Sequence, residues 1–372
     1  MFQHASVPAE DSEKLIYVEH VPAFAEPALE SLYGSLYASL PQLRASDLKQ
    51  VSTYVAKQAG RLSALFLFRI AGRSLRVLNE GMHINRTEAE RFASVIFQDY
   101  PGVDQIHFHA ISIAETIPQR AALRFVCTED MVIDLPEHED DYMSRLGKAT
   151  RKSLRRHRAR AAGLEQQLMD GADANVSLIE RIIEFNHARM AHKQRCSALD
   201  QAASMHLISL LRQRGIVSVI SLHGQLCAGT LACRFGDDIY SLVNAHDIAC
   251  DSLSMGNLSR HLMILAAIRM GARRFHLLGG HYASKHASLA ERVELHHLTL
   301  YRDRLSLCLD AAAITQRAAQ ALLYRCRVRL EEDMNKHPAS WRALAMMSVG
   351  RIIRIARHAW EACLGPLKTA PP

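Results

Sequence analysis

Residues 238–285 read DIYSLVNAHDIACDSLSMGNLSRHLMILAAIRMGARRFHLLGGHYASK. The apolar run Ile239–Ala245 predicts a strand, which enters a polar loop, His246–Gly256, containing one glycine. Asn257–Met270 then reads as a buried helix stopped by Gly271. A second strand, Arg274–Leu278, runs into Gly279, Gly280, His281, Tyr282 and Lys285. Two such strands, laid side by side and parallel, open their carboxyl ends into one crevice. The helix between them begins with unbonded N–H groups facing that crevice, which suits a phosphate.

Working outward, the same half predicts helices at Ser177–Ala191 and Ala198–Arg214. Strands follow at Ile216–Leu222 and Leu226–Phe235, joined through His223 and Gly224, and a last alternating strand lies near Leu295–Tyr301. His296 and His297 are adjacent on that strand and so face opposite sides, which argues against a shared metal. The first half shows helical patterns at Ala28–Leu40 and Ser46–Ala59 and a hairpin from Ala64–Ile70 to Leu75–Asn79. A helix opened by a capping box of Thr87 with Glu90 follows, then a strand around Ile106 and Phe108. Two further strands are expected at Ala122–Cys127 and Met131–Leu135. The halves share the order helix, helix, hairpin, helix, strand, and only the second shows an extra strand and a glycine loop ahead of its helix. The expected architecture is α/β (mixed α+β): two tandem domains, each a mostly antiparallel sheet flanked by helices. Their bounds are 1–140 and 141–310, with a basic helical tail at 311–372.

At 372 residues and 49% hydrophobic, the chain is long enough for about two domains with sizeable cores. No run of about 20 uncharged apolar residues is present, and Met1–Glu13 lacks the basic and apolar regions of a secretory signal, so the default location is the cytoplasm. The eight cysteines form no CxxC pair, which fits reduced thiols. The net charge of +7 is local: Arg145–Arg160 holds eight basic residues and no acid, and without them the chain sits at −1. In the tail, Arg351, Arg354 and Arg357 recur at helical spacing opposite Ile352, Ile353, Ala356 and Trp360. A basic amphipathic helix over 343–360 either rests on the inner membrane surface or packs on its own domain. Sequences of the types GxSxG, GxGxxG, HExxH and the Walker loop are absent, so hydrolase, dehydrogenase, zincin and nucleotidase readings lack their anchors.

The segment Tyr142, Leu146, Gly147, Thr150, Arg151, Leu154, Arg155, Arg156 resembles the "Y..LG..TR..LRR" entry of the BioF2-like acetyltransferase group. That group lies in the GNAT superfamily and is similar to the Fem-type peptidyltransferases, which carry two GNAT-like domains. Asn186, His187 and Arg189 stand where such proteins have "LH..R", and Ser254, Met255 and Gly256 where they have "SPG". Phe275–Lys285 resembles their "G...YK" strand end, although two residues separate Tyr282 from Lys285 and the pyrophosphate loop has one glycine. The resemblance spans 142–302. It implies acyl transfer from acetyl-CoA or another acyl-CoA, without a metal, to an amine or hydroxyl. The acceptor it implies is a saccharide, such as an envelope or exopolysaccharide precursor, and Lys285 with the basic helix makes an anionic small molecule or saccharide the expected acceptor.

Acyl transfer needs a held pyrophosphate, donors for the developing oxyanion and a base for the nucleophile. Ser254, Met255, Gly256 and Asn257 are expected to hold the cofactor through their backbone. His246 and Asp247, with His281 and Tyr282 on the neighbouring strand end, are the acid–base candidates. Lys285, Arg151, Arg155, His187 and Arg189 are the substrate-binding candidates. The plainer readings are an ordinary helix start capped by Ser252 or Ser254, and a solvated basic helix paired with the acids before it. Other classes remain in view. One is an aminoacyl-tRNA-dependent Fem-type transferase. The others are a catalytically silent GNAT-like scaffold and a nucleic-acid-binding protein using residues 145–160, although that segment lacks the interleaved aromatics of nucleic-acid surfaces.

Overall fold

A computed structural model describes residues 12–44, 48–114, 121–194, 196–280 and 283–336. Its frame is a 12-stranded sheet whose order explains the tandem sequence pattern. The first half runs β1 (Ser12–Tyr17), α1 (Ala25–Tyr33), α2 (Leu40–Leu43), β2 (Ser52–Gln58), β3 (Arg61–Ala71), β4 (Ser74–Val77), α3 (Arg86–Asp99) and β5 (Gln105–Ile111). After β6 (Ala122–Asp134), α4 (Glu139–Arg145) and α5 (Lys148–Arg160), the second half repeats it. It runs β7 (Leu164–Asp170), α6 (Val176–His192), α7 (Gln201–Arg214), β8 (Gly215–Leu222), β9 (Gln225–Phe235), β10 (Asp238–His246), α8 (Met255–Arg269) and β11 (Arg274–His276). The chain continues through α9 (Ala283–His286), β12 (Glu291–Tyr301), α10 (Arg304–Leu309) and α11 (Ala311–Lys336). In each half four antiparallel neighbours end in one parallel pair, β4 with β5 and β10 with β11, because a helix crosses over between them.

The strand order β1-β2-β3-β4-β5-β12-β6-β11-β10-β9-β8-β7 is palindromic in type. The halves exchange their closing strands: β6 pairs with β11, and β12 pairs with β5. The two exchanged strands pair with each other along ten residue pairs, from Glu291–Val132 to Leu300–Ala122. The sheet is therefore continuous across residue 140.

Several sequence expectations change. Of the expected Ser46–Ala59 helix, the described residues hold β2 instead, where Tyr54 and Ala56 face one core and Val55, with Val51 just ahead of the strand, another. A strand buried on both faces reads as a continuous apolar run, which periodicity cannot tell from a helix. With β2 in place the first half has the strand that only the second was expected to carry. The Ala28–Leu40 helix is broken at Gly34, whose φ of 53° caps α1. The capping box is Asn85 with Glu88: Asn85 Oδ1 accepts from Glu88 N at 2.8 Å, so α3 opens ahead of Thr87. Ala122–Asp134 is one strand with a register shift where two were expected. β1 and β7, both at sheet edges and polar, carry no periodic signal and were not anticipated. The 343–360 helix lies outside the described residues.

Rings of Tyr54, Phe66, Phe68, Phe92 and Phe108 build the first core, all of them fully buried. Each stabilises the fold by roughly 1.5–3 kcal/mol. The second half packs α6 and α7 on one side of the sheet and α8 on the other. Tyr142 and Leu146 of the motif belong to the α8-side core, where the Tyr142 hydroxyl meets His261 Nδ1 and Ser288 O, both at 3.3 Å. No described helix is long and apolar enough to cross a membrane.

Candidate functional site

β10 and β11 run parallel for only three pairs, Asp238–Arg274 to Tyr240–His276, and then separate. β10 is irregular at Ser241–Val243, which turns its end away, and α8 starts in the opening. The result is a cavity of about 390 Å³. Ser241, Asn244 and His246 of β10 line it, with Ser254, Gly256, Asn257 and Arg260 around the start of α8 and Leu277, Ser284 and Lys285 beyond β11. Arg189 and Lys193, at the end of α6, complete it. Four cationic side chains thus face one another, with Asp251 the acid among the lining residues. Burial, reinforced by the neighbouring Arg189, pushes the Arg260 guanidinium below its usual range. That crowding is relieved by an anion.

Ser254 precedes α8 in the left-handed region, φ 54°, and its side chain makes no cap, so the plain capped-helix alternative does not hold there. Asn257 N donates to Ser254 O at 3.1 Å, so the first turn presents the N–H groups of Met255 and Gly256 and the positive end of the helix dipole toward the cavity. Met255 puts its side chain into the core, leaving its backbone for any ligand. Gly256 lies against His246: a Cβ there would come within 2.8 Å of Nδ1. His246 Nε2 meets Asp251 Oδ1 at 2.5 Å, which fixes the ring beside the helix start. Asn244 Nδ2 donates to Gly256 O at 3.0 Å and ties β10 to α8.

The other candidates divide. Arg189 lines the cavity and donates to Asn186 Oδ1 at 3.1 Å. His187 is exposed and does not line it. Asp247 faces away from His246, as strand neighbours do, and its Oδ1 accepts from Ala249 N at 3.0 Å to cap the short 3-10 turn Ile248–Leu253. Lys285 reaches the cavity wall, but its ammonium donates to the carbonyls of Leu277, Leu278 and Gly279 at 2.7–2.8 Å. It closes the end of β11, a structural task in place of the expected substrate contact. Burial, with Arg260 adding to it, pushes Lys285 down to about 8. Arg151 Nη1 donates to Ser144 O at 2.5 Å, joining α5 to the last turn of α4. Arg155 is exposed on α5. His281 and Tyr282 lie outside the described residues.

Sequence reasoning missed Arg260 and Lys193. Each stands four residues after a chosen residue, Gly256 and Arg189, hence one turn further along the same helical face, a signal available in the sequence. It also missed a buried polar group on the far side of β11. There His276 Nδ1 meets Asp130 Oδ2 at 2.7 Å, with Tyr240 stacked on the imidazole at 4.1 Å. Asp130 comes from β6, the strand given by the other half, so no local pattern connects the pair.

A parallel strand pair that closes each half, and in the second splays beside an uncapped helix start, invites comparison with known proteins. Residues 148–286 match the acetyltransferase (GNAT) domain family. The structure of FemX superposes with a TM-score of 0.58 at 11% identity, covering 77% of this chain and 96% of that one. A protein of unknown function from Bacteroides thetaiotaomicron gives 0.52 at 11% identity, covering 77% of this chain and all of that one. These identities show a shared fold. No curated protein matches the sequence. Residues 148–286 thus match a GNAT-type acetyltransferase domain, and the chain shares the fold of FemX.

Proposed function

We propose that this GNAT-type transferase takes its acyl group from acyl-CoA, acetyl-CoA in the first instance, and passes it to an amine or hydroxyl. The supporting observation is the cation-lined cavity where β10 and β11 separate at the uncapped start of α8. The N–H groups of Met255 and Gly256, with Arg260 and Arg189, would hold the pyrophosphate, while Asn257 N already donates to Ser254 O at 3.1 Å. The edge of β10 beyond Tyr240, no longer paired with β11, would align the pantetheine arm. His246, steered by Asp251, is a candidate to pass protons at the cavity wall. The saccharide or envelope-precursor acceptor and a peripheral position at the membrane through 343–360 rest on the motifs and the tail sequence alone.

The basic helix supports a second reading, an aminoacyl-tRNA donor of the Fem type. Lys148, Lys152, Arg155, Arg156, Arg158 and Arg160 of α5 are exposed, and no ion pair to them occurs among the described residues. The preceding Glu139 pairs with Arg269 of α8 instead. A smaller cavity beside α5 shares Asn257 and Ser284 with the donor cavity, so a large anionic donor on α5 would reach the same place. Thermal stabilisation by acetyl-CoA and longer acyl-CoAs, compared with salt-dependent binding of charged tRNA, separates the two. Stabilisation by an acyl-CoA supports the first reading; no shift with any acyl-CoA, together with salt-sensitive tRNA binding, overturns it.

A further inference from the structure

Two irregularities in the sheet face each other across β12. On β6 the register shifts between the pairs Leu295–Thr128 and His296–Val126, which leaves Cys127 as an extra residue. On β5 it shifts between His296–Ile111 and Leu298–Phe108, and Ala110 takes a φ of 50° there. A bulge bends its strand and re-aims the side chains it carries. Together the two bulges bring the Cys127 thiol into hydrogen-bond contact with the His109 imidazole, although β12 runs between their strands.

The ring is held from both sides. His109 Nδ1 meets Glu80 Oε1 at 3.1 Å, and the thiol is its other partner. Glu80 lies in the loop after β4 and is anchored in turn by Arg76 at 3.5 Å. The thiol also reaches Leu295 O at 3.5 Å, which fixes its direction. The three side chains form a series of nucleophile, proton-carrying ring and orienting carboxylate. Cys127 and Glu80 both favour the charged ring, and they push His109 up to about 10 against the cost of burial.

The series opens on a cavity of about 560 Å³ at the seam where the halves exchange strands. Glu80, His109 and Thr128, the neighbour of Cys127, line it, and Cys127 itself is partly exposed. Two more polar groups on its wall are buried and make no hydrogen bond. They are the Ser35 hydroxyl, 5% exposed, and Glu129 Oε2, 6% exposed and 4.0 Å from Arg292. Such groups are costly without a partner, so the cavity suits a molecule that brings hydrogen-bond donors. Glu80, Glu129, Asp130, Asp134 and Glu291 make its wall acidic, which disfavours an anion. The cavity shares no lining residue with the one at α8.

We propose that Cys127 is a thiol-exchange site whose substrates are small disulfides without negative charge that enter the seam cavity. This chemistry is separate from acyl transfer and independent of the donor taken at α8. Loss of the Cys127 proton to water leaves a thiolate beside the His109 imidazolium. The sulfur attacks one sulfur of the disulfide, and a new S–S bond forms as the old one breaks. The departing thiolate takes the proton of the imidazolium, which water restores while Glu80 keeps the ring in place. Cys127 is oxidised to a mixed disulfide and the other half of the small disulfide is reduced to a free thiol.

The full chain, reduced beforehand, is exposed to hydroxyethyl disulfide at pH 7, and the adduct on each cysteine is followed by peptide mass spectrometry. Cys127 should react about tenfold faster than the exposed Cys196, Cys308 and Cys326, which serve as references within the same chain. That comparison needs no variant, so it stands even where a substitution unfolds the protein. Oxidised glutathione, an anion, should show a smaller preference for Cys127. His109→Gln should bring Cys127 down to the rate of the references. Glu80 acts through the ring, so its test is the titration of His109 followed by NMR. The ring should titrate above the ordinary histidine range in the native chain and lower in Glu80→Gln. Arg76, His83, His297 and Arg317 are the other charged or titratable groups around it. A native Cys127 no faster than the exposed cysteines would overturn the proposal. So would a rate that His109→Gln leaves unchanged, an equal preference for oxidised glutathione, or a native His109 titrating in the ordinary range.

Discussion

Gly256 and Lys285 show how single residues set the cation-lined cavity. Gly256 has room for no side chain because the His246 ring occupies the place of its Cβ, 2.8 Å away. Gly256→Ala should turn the ring out of its contact with Asp251 and into the space of the donor. Acyl-CoA affinity should fall about tenfold, or ~1.4 kcal/mol, with little loss of thermal stability; calorimetric titration and a melting curve check both. Lys285 is 7% exposed and serves three carbonyls at the end of β11. Lys285→Met removes these three bonds, with Leu278 O keeping only Met131 N at 3.3 Å, and should cost roughly 1.5–3 kcal/mol in urea unfolding, as hydrogen bonds to a charged group do. The same residue gives a pH signature. Its folded value of about 8 lies below the ordinary 10.5, so between these the unfolded chain binds more protons and stability rises with pH. Stability measured from pH 8 to 10.5 should climb in the native chain, and this rise should shrink in Lys285→Met.

At the scale of elements, the three-pair contact of β10 with β11 creates the opening, and α8 fills one side of it. The strand–loop–helix–strand order was legible because the helix is long, apolar and ended by Gly271. Which loop side chains would serve the cavity was not, since Asp247 and Lys285 are spent on backbone groups that only the folded loop brings near. α5 was also legible, as a run of base without acid. Its inner face, Leu154 and His157, packs toward α8, while most of its basic residues point to solvent. Reversing Lys152, Arg155 and Arg156 to glutamate should leave unfolding within about 0.5 kcal/mol of the native value, as surface changes do. If α5 carries an anionic donor, the same triple change should abolish salt-sensitive tRNA binding in a filter-retention assay; if acyl-CoA is the donor, acetyl-CoA affinity should stay within a few-fold.

For the whole molecule, the exchange of β6 and β12 makes each half depend on the other. Separated at residue 140, the first fragment keeps β6 without β11 or β12 beside it, and β5 loses its outer partner. Exposed strand edges of that kind associate with other chains. Residues 12–140 expressed alone should therefore give aggregated or heterogeneous material on gel filtration. Coexpression with 141–336 should restore one species of the mass of both fragments together. A monodisperse, cooperatively melting first fragment would mean that the seam contributes little to folding.

The sequence by itself determined the order of elements in each half apart from β1, β2 and β7, their tandem repetition, the resemblance of 142–302 to GNAT-type enzymes, and the stretch His246–Lys285 around which the cation-lined cavity forms. These follow from local properties: apolar period, glycine stops and a helix start between strands. It could not determine β2, whose two buried faces hide its period, nor the pairing of His276 with Asp130, 146 residues apart. The tertiary structure alone decided which charges share a space. Strand exchange brings carboxylates from both halves to one seam, while the splay of β10 from β11 gathers cations on the other side. Electrostatic interaction depends on distance through the fold, and distance along the chain does not carry it.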